Sequence, residues 1–594
     1  MGSGHRRRPG ARSRRRQESS PPDLLQGERG TWRRKWGHRL TVALIFPNTY
    51  PVATSNLGLQ LVYDLLNEHP GVLAERFVLP PAGEPPRSLE SGRPLTDFSL
   101  LCYSLSFEGD SLNLLRLLAT GGVELAAERR GEGDPLVIGG GVATWMSPEP
   151  LAPATDLFLI GEAEVLLPPV LQRLVRHHRE QGSATGFAGS LRRNGLLREL
   201  AVSCPGCYVP RFYTPHYRAD GCLAQMVPEP GLPPRIKPVL QMAPEVAGYS
   251  RLLSPRAEFS DLFLVELGRG CSRSCRFCAA GFVYRPPRQW SPAAIEAALA
   301  RRPPEITRVG LLGMEMAEPA TLAAISQAIQ AAGCRLSFSS LRADALTPEL
   351  LRLLKQSGVK TAVLAPDGAS ERLRRVINKN LAEEDILQAA EALAAIDVRT
   401  IKLYCMIGLP SEEDADLLEL VAMVSRLRRR LLAQGRRRGW LTEIQLSVSS
   451  LVPKPWTPFQ YAPFAGVPKL RRRLQLLKRE LRSQANVKLS AESPEHAYWQ
   501  AIVARGDRRL GQALLALAAA GVDNRPSRAL AAQGIDPDWY AGRARTADER
   551  FPWEIIAPGI KPEYLFKEYQ RGLKGAVTEA CRVESCRRCG VCGG

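Results

Sequence analysis

The 594-residue sequence contains no apolar run near the roughly 18 to 20 residues that a membrane-spanning helix needs; its best stretches are short, such as Ala513–Val522. An integral membrane protein built of spanning helices is thereby excluded. A balance of acidic charge is also missing. Eighty Lys and Arg against 60 Asp and Glu leave +20, which suits a polyanionic partner such as RNA, and the excess is almost all arginine. Charge by itself names no partner. No secretory signal precedes the cysteines, so a disulfide framework is not expected and a cytoplasmic location is.

What the sequence does have is cysteine in two tight groups. Seven of the 13 cysteines are Cys271, Cys275 and Cys278 in mid-chain and Cys581, Cys586, Cys589 and Cys592 in the last fourteen residues. Neighbours this close do not easily form strain-free disulfides with one another. Ligation of a metal or cluster in a reducing compartment is the better account.

Residues 1–38 are rich in Arg, Gly, Ser and Pro, with like-charge runs at Arg6–Arg8 and Arg14–Arg16, and are expected to form a disordered basic arm. Residues 39–199 alternate strand and helix patterns: strands at Thr41–Phe46, Phe98–Tyr103, Pro135–Ile138 and Leu157–Ile160, helices at Leu57–Asn67, Ser111–Leu118 and about Val165–His177. Such alternation implies an α/β, Rossmann-like domain with a parallel sheet. Its ligands would bind where the strands end and glycines let the backbone approach closely. Residues 200–255 are dense in proline and read as a connector with short strands.

A second alternation occupies 256–464. Leu262–Glu266, Arg308–Leu312, Arg335–Phe338, Thr361–Leu364, Thr400–Met406 and Glu443–Ser449 are six strand candidates, with helices such as Pro292–Ala300, Pro348–Gln356 and Glu383–Ala395 between them. Six β/α units imply a partial or closed TIM-type barrel whose chemistry lies at the carboxyl ends of its strands. Residues 465–594 read as a helical region ending in the four-cysteine group.

The first cysteine group follows the first barrel strand directly, in Gly268-Arg-Gly-Cys271-Ser-Arg-Ser-Cys275-Arg-Phe-Cys278. Three thiolates so spaced can take three irons of a cubane and leave the fourth without a protein ligand. An open iron is a place for a substrate or cofactor to chelate. A structural zinc site would want a fourth ligand nearby, and the adjacent sequence offers none.

This CxxxCxxC loop, with an aromatic residue before its last cysteine, resembles the radical S-adenosylmethionine (SAM) superfamily. The resemblance implies an enzyme in which a 4Fe-4S cluster on Cys271, Cys275 and Cys278 cleaves SAM reductively to a 5′-deoxyadenosyl radical. It also implies that Phe277 packs near adenine and that Gly313, Met314 and Glu315 hold the SAM amino group, here Gly-Met-Glu in place of Gly-Gly-Glu. Ser339, Ser340, Arg342 and Asp367 become candidates for the carboxylate and ribose, and Ile407, Gly408 and Leu409 for adenine. A turn or a helix cap is the alternative for each polar one. A reductant such as ferredoxin or flavodoxin would supply the electron.

Four stretches narrow the resemblance: Gly270–Arg288, Leu364–Asn380 (LAPDGASERLRRVINKN), Ile401–Pro410 (IKLYCMIGLP) and Val452–Phe459 (VPKPWTPF). They are similar to a bacterial family of radical SAM proteins with an N-terminal cobalamin-binding-like domain, named for its domains and not for a reaction. Within that domain Ser104, Ser106, Gly139, Gly140, Gly141, Gly161 and Glu162 stand where such domains hold the cofactor. The Asp-x-His-x-x-Gly motif that often supplies a histidine to cobalt is absent. His69, before Pro70, reads as a surface residue. Either cobalamin binds without a protein ligand to cobalt, or the domain positions substrate alone.

The four C-terminal thiolates suit either a fully ligated second 4Fe-4S cluster or tetrahedral zinc. Cys204 and Cys207 form a CxxC pair in the connector with nothing nearby to complete a site. Arg426–Arg430, Arg436–Arg438 and Arg471–Arg473 with Lys478 and Arg479 are basic runs that could track phosphates, with Trp440 and Trp456 to stack bases. The sequence thus points to a radical SAM enzyme, with methyl or methylthio transfer to RNA as one outcome. The competing readings are a non-catalytic Fe-S redox or RNA-binding protein, and a cobalamin-independent enzyme with an auxiliary cluster.

Overall fold

The computed structural model describes residues 24–131, 133–180, 190–313, 319–338, 341–521 and 525–592. The first sheet is built from β1 (Leu40–Ile45), β2 (Val72–Phe77), β3 (Leu100–Ser104), β4 (Leu136–Gly140), β5 (Leu157–Leu159) and β6 (Cys207–Tyr208), in the spatial order β2-β1-β3-β4-β5-β6. Its first five strands run parallel and β6 joins antiparallel to β5. Every residue of β1 is buried, as expected of a central strand with helices on both faces.

β2 was not evident in the sequence because Glu75 and Arg76 interrupt its apolar run. Both are buried, and both take partners from outside the strand. Arg76 Nη1 donates to Glu28 Oε2 at 3.0 Å and Nε to Glu90 Oε1 at 2.7 Å, while Trp36 Nε1 donates to Glu75 Oε1 at 3.0 Å. The partners Glu28 and Trp36 lie in the stretch expected to be a disordered arm. Residues 24–38 are instead packed on the domain: Trp32 Nε1 donates to Asp64 at 2.7 Å, and Trp36 meets Phe98 edge-on with ring centres 4.9 Å apart. A buried guanidinium needs its carboxylates, so this segment is held by the strand it completes. Residues 1–23 of the expected arm lie outside the described residues.

The connector carries an antiparallel hairpin, β7 (Tyr213–Tyr217) with β8 (Leu223–Pro228). Its later residues run as extended chain, bridging Gly161 to Val239 and Ile236 to Ile556.

The barrel strands are β9 (Phe263–Glu266), β12 (Arg308–Leu312), β13 (Arg335–Phe338), β14 (Thr361–Gly368), β15 (Thr400–Ile407) and β16 (Glu443–Ser450). A short antiparallel ribbon of β10 (Gly268–Arg269) and β11 (Arg288–Gln289) stands just beyond β9. Parallel pairing runs β9-β12-β13 and β14-β15-β16, and a bridge from Leu341 to Leu364 links the two groups. The six expected strands are all present. A seventh, β17 (Val487–Ala491), adds in parallel to β16. It lies in the region expected to be helical; its Val487 and Leu489 pack against the core while Lys488 and Ser490 are exposed, an alternation too short to stand out in the sequence.

The C-terminal helices return to the first domain. Helix Arg508–Ala519 lies so close to Pro150 and Pro153 that a Cβ on Gly511 would fall 2.7 Å from the Pro150 carbonyl, and Arg508 pairs with buried Glu149 at 3.0 Å. Among the described residues no helix is long and apolar enough to cross a membrane.

Candidate functional site

The carboxyl ends of the two parallel sheets face one another, and the three-cysteine loop stands between them. The β10–β11 ribbon closes the base of the loop. A side chain on Gly268 would meet the Arg288 carbonyl at 2.3 Å, and Gly270, at φ +89°, would meet that of Tyr284 at 2.8 Å. These two glycines therefore serve the close crossing of backbone that makes the loop possible. Asn378 Nδ2 donates to the carbonyls of Arg273 (3.2 Å) and Ser274 (3.3 Å), and Arg285 Nη2 donates to Ser274 Oγ at 2.7 Å. The loop is thus tied down independently of any bound group.

Cys271, Cys275 and Cys278 are half-buried and form no disulfide. Burial pushes the Cys275 thiol up to about 12 against the pull of Lys379, and burial raises Cys278 against the N–H groups of Gly281 and Ala280. Among the described residues no three His, Cys, Asp or Glu side chains converge on one point as ligands of a single ion would. A cubane takes each thiolate on a different iron, so three separated soft donors from one loop suit it. The donor set therefore fits a 4Fe-4S cluster with one open iron. Phe277 is partly buried against the core.

The expected SAM-holding residues fall into three groups. Gly313, at φ +84°, borders the space beside the loop, its Cβ position 3.1 Å from the Gly268 carbonyl. Met314, Glu315, Ser339 and Ser340 lie outside the described residues. Asp367, at φ +61° on the bulge of β14, pairs with Lys379 at 2.8 Å, and Arg342 Nη2 donates to the Lys379 carbonyl at 2.7 Å. Burial raises the Asp367 carboxyl despite that lysine. Lys379 went unnoticed in the sequence. Its signal was the Asn-Lys-Asn turn, in which Asn378 and Asn380 both take positive φ. Ile407 and Leu409 are buried in the apolar core, and the Leu409 N–H donates to Glu412 at 2.9 Å. Gly408, at φ +83°, turns the chain between them.

Across from the loop, a cavity of about 650 Å³ is lined by Ser104, Ser106, Gly141 and Gly161 from the first sheet and by Gly270 and Gly313 from the barrel. An apolar slot of about 80 Å³ opens from the same strand ends past Gly139 and Gly140. Gly139 leaves room for the Tyr103 ring, and Gly141 and Gly161 cross backbone of Leu105 and Val239. These glycines are fixed by the fold and, as a result, leave bare backbone at the rim. No histidine stands among the described residues lining either space. His69 precedes β2 and so lies at the opposite edge of the sheet, where its Nδ1 accepts from the Gly71 N–H at 3.1 Å.

Glu162 lines the same cavity and is also engaged in ion pairs. Its carboxylate receives Arg288 Nη1 and Nη2, each at 2.8 Å, lies 3.3 Å from Arg269 Nη1, and accepts the Gln241 N–H at 2.6 Å. Arg269 goes on to Glu164 at 2.6 Å and Glu266 at 3.0 Å. The carboxyl edge of the first sheet is clasped to the ribbon that carries the cysteine loop. A larger cavity, about 920 Å³, shares Phe107 with the first and reaches Ser450 at the end of β16, with Arg116, Arg471 and Arg528 on its wall.

The basic runs are largely spent within the fold. Arg426 pairs with Glu383, Arg430 with Glu384 (2.8 Å) and Glu391 (3.2 Å), and buried Arg473 with Glu412 (2.8 Å). Trp456 is buried, and Trp440 precedes β16, at the end of the barrel away from the loop.

Comparison with known proteins places two matches on these two halves. Residues 58–210 match the family described as "Radical SAM proteins, N-terminal", and residues 265–424 match "Radical SAM superfamily". The uncharacterized protein MJ0966 of Methanocaldococcus jannaschii is 24% identical over 475 residues, which cover 80% of this chain and 90% of that protein. Among solved structures, the radical S-adenosylmethionine methyltransferase TsrM from Kitasatospora setae, with cobalamin and a 4Fe-4S cluster bound, superposes with a TM-score of 0.46 at 16% identity, over 71% of this chain and 77% of TsrM. The cobalamin-dependent S-adenosylmethionine radical enzyme OxsB, with aqua-cobalamin bound, gives 0.40 at 14% identity over 65% of this chain and 52% of OxsB.

Proposed function

We propose that this chain, whose residues 265–424 match the radical SAM superfamily, is an enzyme that cleaves SAM beside the Cys271–Cys278 loop and, with the help of cobalamin held between its two sheets, transfers a methyl group taken from a second SAM, which leaves as S-adenosylhomocysteine. The observation that carries this reading is the shared cavity: bare backbone at the carboxyl edge of the first sheet and the glycines flanking the cysteine loop line the same space.

Cys271, Cys275 and Cys278 would hold a 4Fe-4S cluster, which would supply one electron, drawn from a ferredoxin- or flavodoxin-like reductant, for splitting the SAM sulfonium into methionine and a 5′-deoxyadenosyl radical. The protein's own residues do the rest by placement. Asn378 and Arg285 hold the loop main chain in position, and the Glu162–Arg288 clasp fixes its distance from the first sheet. Lys379, with its charge beside Cys275, and Arg342 offer cations toward the SAM carboxylate, and Asp367 keeps Lys379 in place. Phe277 gives the adenine an apolar surface. Ser104 and Ser106 offer hydroxyls at the cavity rim, and the glycine backbone admits a flat ring. Among the described residues no histidine stands at that rim to offer an imidazole to a cobalamin.

The net charge of +20 remains the support for an RNA substrate, since Arg426 and Arg430 of the long helix Asp414–Arg438 are drawn into pairs with Glu383, Glu384 and Glu391. The 920 Å³ cavity beside Phe107 is the approach we assign to substrate. The test is anaerobic reconstitution with hydroxocobalamin, gel filtration, then incubation with dithionite and SAM. Co-eluting cobalamin together with 5′-deoxyadenosine supports the proposal. 5′-Deoxyadenosine without retained cobalamin removes the cobalamin step, and absence of both overturns it.

A further inference from the structure

The last described stretch, residues 574–592, contains no helix or strand, yet it lies directly on the three-cysteine loop. The Cys581 N–H donates to the Ser272 carbonyl at 2.7 Å. Asn378, which ties down Arg273 and Ser274, also donates through Nδ2 to the Thr578 carbonyl at 3.0 Å and accepts the Thr578 N–H on Oδ1 at 2.8 Å. Arg276, between Cys275 and Cys278, sends its fully buried guanidinium to the Ala576 carbonyl (2.7 Å), Thr578 Oγ1 (3.2 Å) and Glu568 (3.2 Å). One wall of the loop is therefore made by this segment.

Little else holds the segment together. Val577 and Val583 are exposed, and its buried side chains are mainly Thr578 and the thiols of Cys581, Cys589 and Cys592, with Cys586 half-exposed. The sulfurs of Cys581 and Cys592 are 3.9 Å apart and are not bonded. Arg588 Nε lies 3.5 Å from the Cys586 sulfur, and its Nη2 donates to the Glu579 and Ala580 carbonyls, so the two ends of the knot are already drawn together. Four thiols in twelve residues, three of them buried where the chain has almost no apolar core, are what a thiolate-held metal would organise.

We propose that Cys581, Cys586, Cys589 and Cys592 bind a thiophilic metal centre, and that this centre locks the C-terminal segment against the Cys271–Cys278 loop. The centre is distinct from the one that cleaves SAM, because all four of its ligands lie in the tail. The four thiols do not yet converge on one point, so binding closes them around the metal as they release their protons. The 3.9 Å separation is close to the ~3.8 Å between sulfurs bound to a tetrahedral zinc at about 2.3 Å. A 4Fe-4S cluster satisfies the same four thiolates, and metal analysis separates the two.

The test compares the full-length wild type with Cys586→Ser/Cys589→Ser and with Cys271→Ala/Cys275→Ala/Cys278→Ala, all purified and reconstituted anaerobically. Zinc, iron and sulfide are counted per chain, and hydrogen exchange is followed at residues 268–280 and 574–592. The tail variant is expected to lose one zinc, or one cluster's iron and sulfide, and its cysteine-loop amides to exchange roughly tenfold or more faster. The loop variant keeps the tail metal, which separates this proposal from the SAM reading. A Cys586→His variant, still a soft ligand for zinc, guards against simple misfolding and is expected to recover zinc and protection if zinc is the metal. Equal metal in wild type and tail variant overturns the site. Loss of metal with unchanged loop exchange overturns the bracing.

Discussion

Replacing Glu162 with Gln removes the charge that joins the two sheets while keeping the side chain's size. Glu162 is almost fully buried, and Arg288, whose side chain is 5% exposed, gives it both terminal nitrogens at 2.8 Å. Removing one partner of a buried, hydrogen-bonded pair costs about 3–5 kcal/mol, because the other charge stays behind unpaired. Arg269 keeps Glu164 and Glu266, which puts the expected cost at the lower end, about 3 kcal/mol. At about 1.4 kcal/mol per factor of ten, opening of the ribbon becomes roughly a hundredfold more frequent. The assay is hydrogen exchange at residues 263–290, with a double-mutant cycle against Arg288→Met. A coupling of roughly 2–3 kcal/mol is expected for residues in direct contact. Unchanged exchange, or single effects that merely add, would refute the clasp.

Glu28→Ala should destabilise the first domain by about 3–5 kcal/mol, since Arg76 would lose one of its two buried carboxylates; an unchanged urea midpoint would contradict the packing of residues 24–38. Burial holds the Glu412 carboxyl up at about 7 despite Arg473 and the N–H groups of Leu409 and Gly408. The folded protein therefore keeps a proton that the unfolded chain releases, and this stabilisation is full below the ordinary value of 4.5 and lost as pH rises through 7. Glu412→Gln should flatten the stability–pH slope in that window, and identical slopes would count against it. Cobalamin bound in the cavity should give a Cob(II) electron paramagnetic resonance spectrum without nitrogen splitting from a protein imidazole; such splitting, lost in His69→Ala, would contradict the placement of His69 at the far sheet edge.

The barrel was legible because its strands are short apolar runs between helices of clear period, and all six fell within a few residues of their expected bounds. The cysteine loop was legible because ligand chemistry fixes its spacing. What escaped depends on contacts distant in sequence. β2 looks like a poor strand until Glu28, Trp36 and Glu90 are brought to its Glu75 and Arg76. The same contacts explain why the arginine-rich stretch 24–38, with Trp32 and Trp36, packs on the domain. β17 sits at a sheet edge, where only Val487 and Leu489 face inward, too few positions to mark a strand. The ion pairs of Glu162 were not legible beside its place after a strand-end glycine, because its arginine partners lie more than a hundred positions away. The docking of the tail on the cysteine loop rests on Asn378 and Arg276, whose tail partners lie two hundred or more positions away.

The central claim is that Cys271, Cys275 and Cys278 hold the cluster that cleaves SAM. It is tested most directly by measuring 5′-deoxyadenosine after anaerobic reconstitution and incubation with dithionite and SAM, in the wild type and in each single alanine variant of the three cysteines. The account predicts product from the wild type and its loss in all three variants. Product at the wild-type level in all three would contradict it.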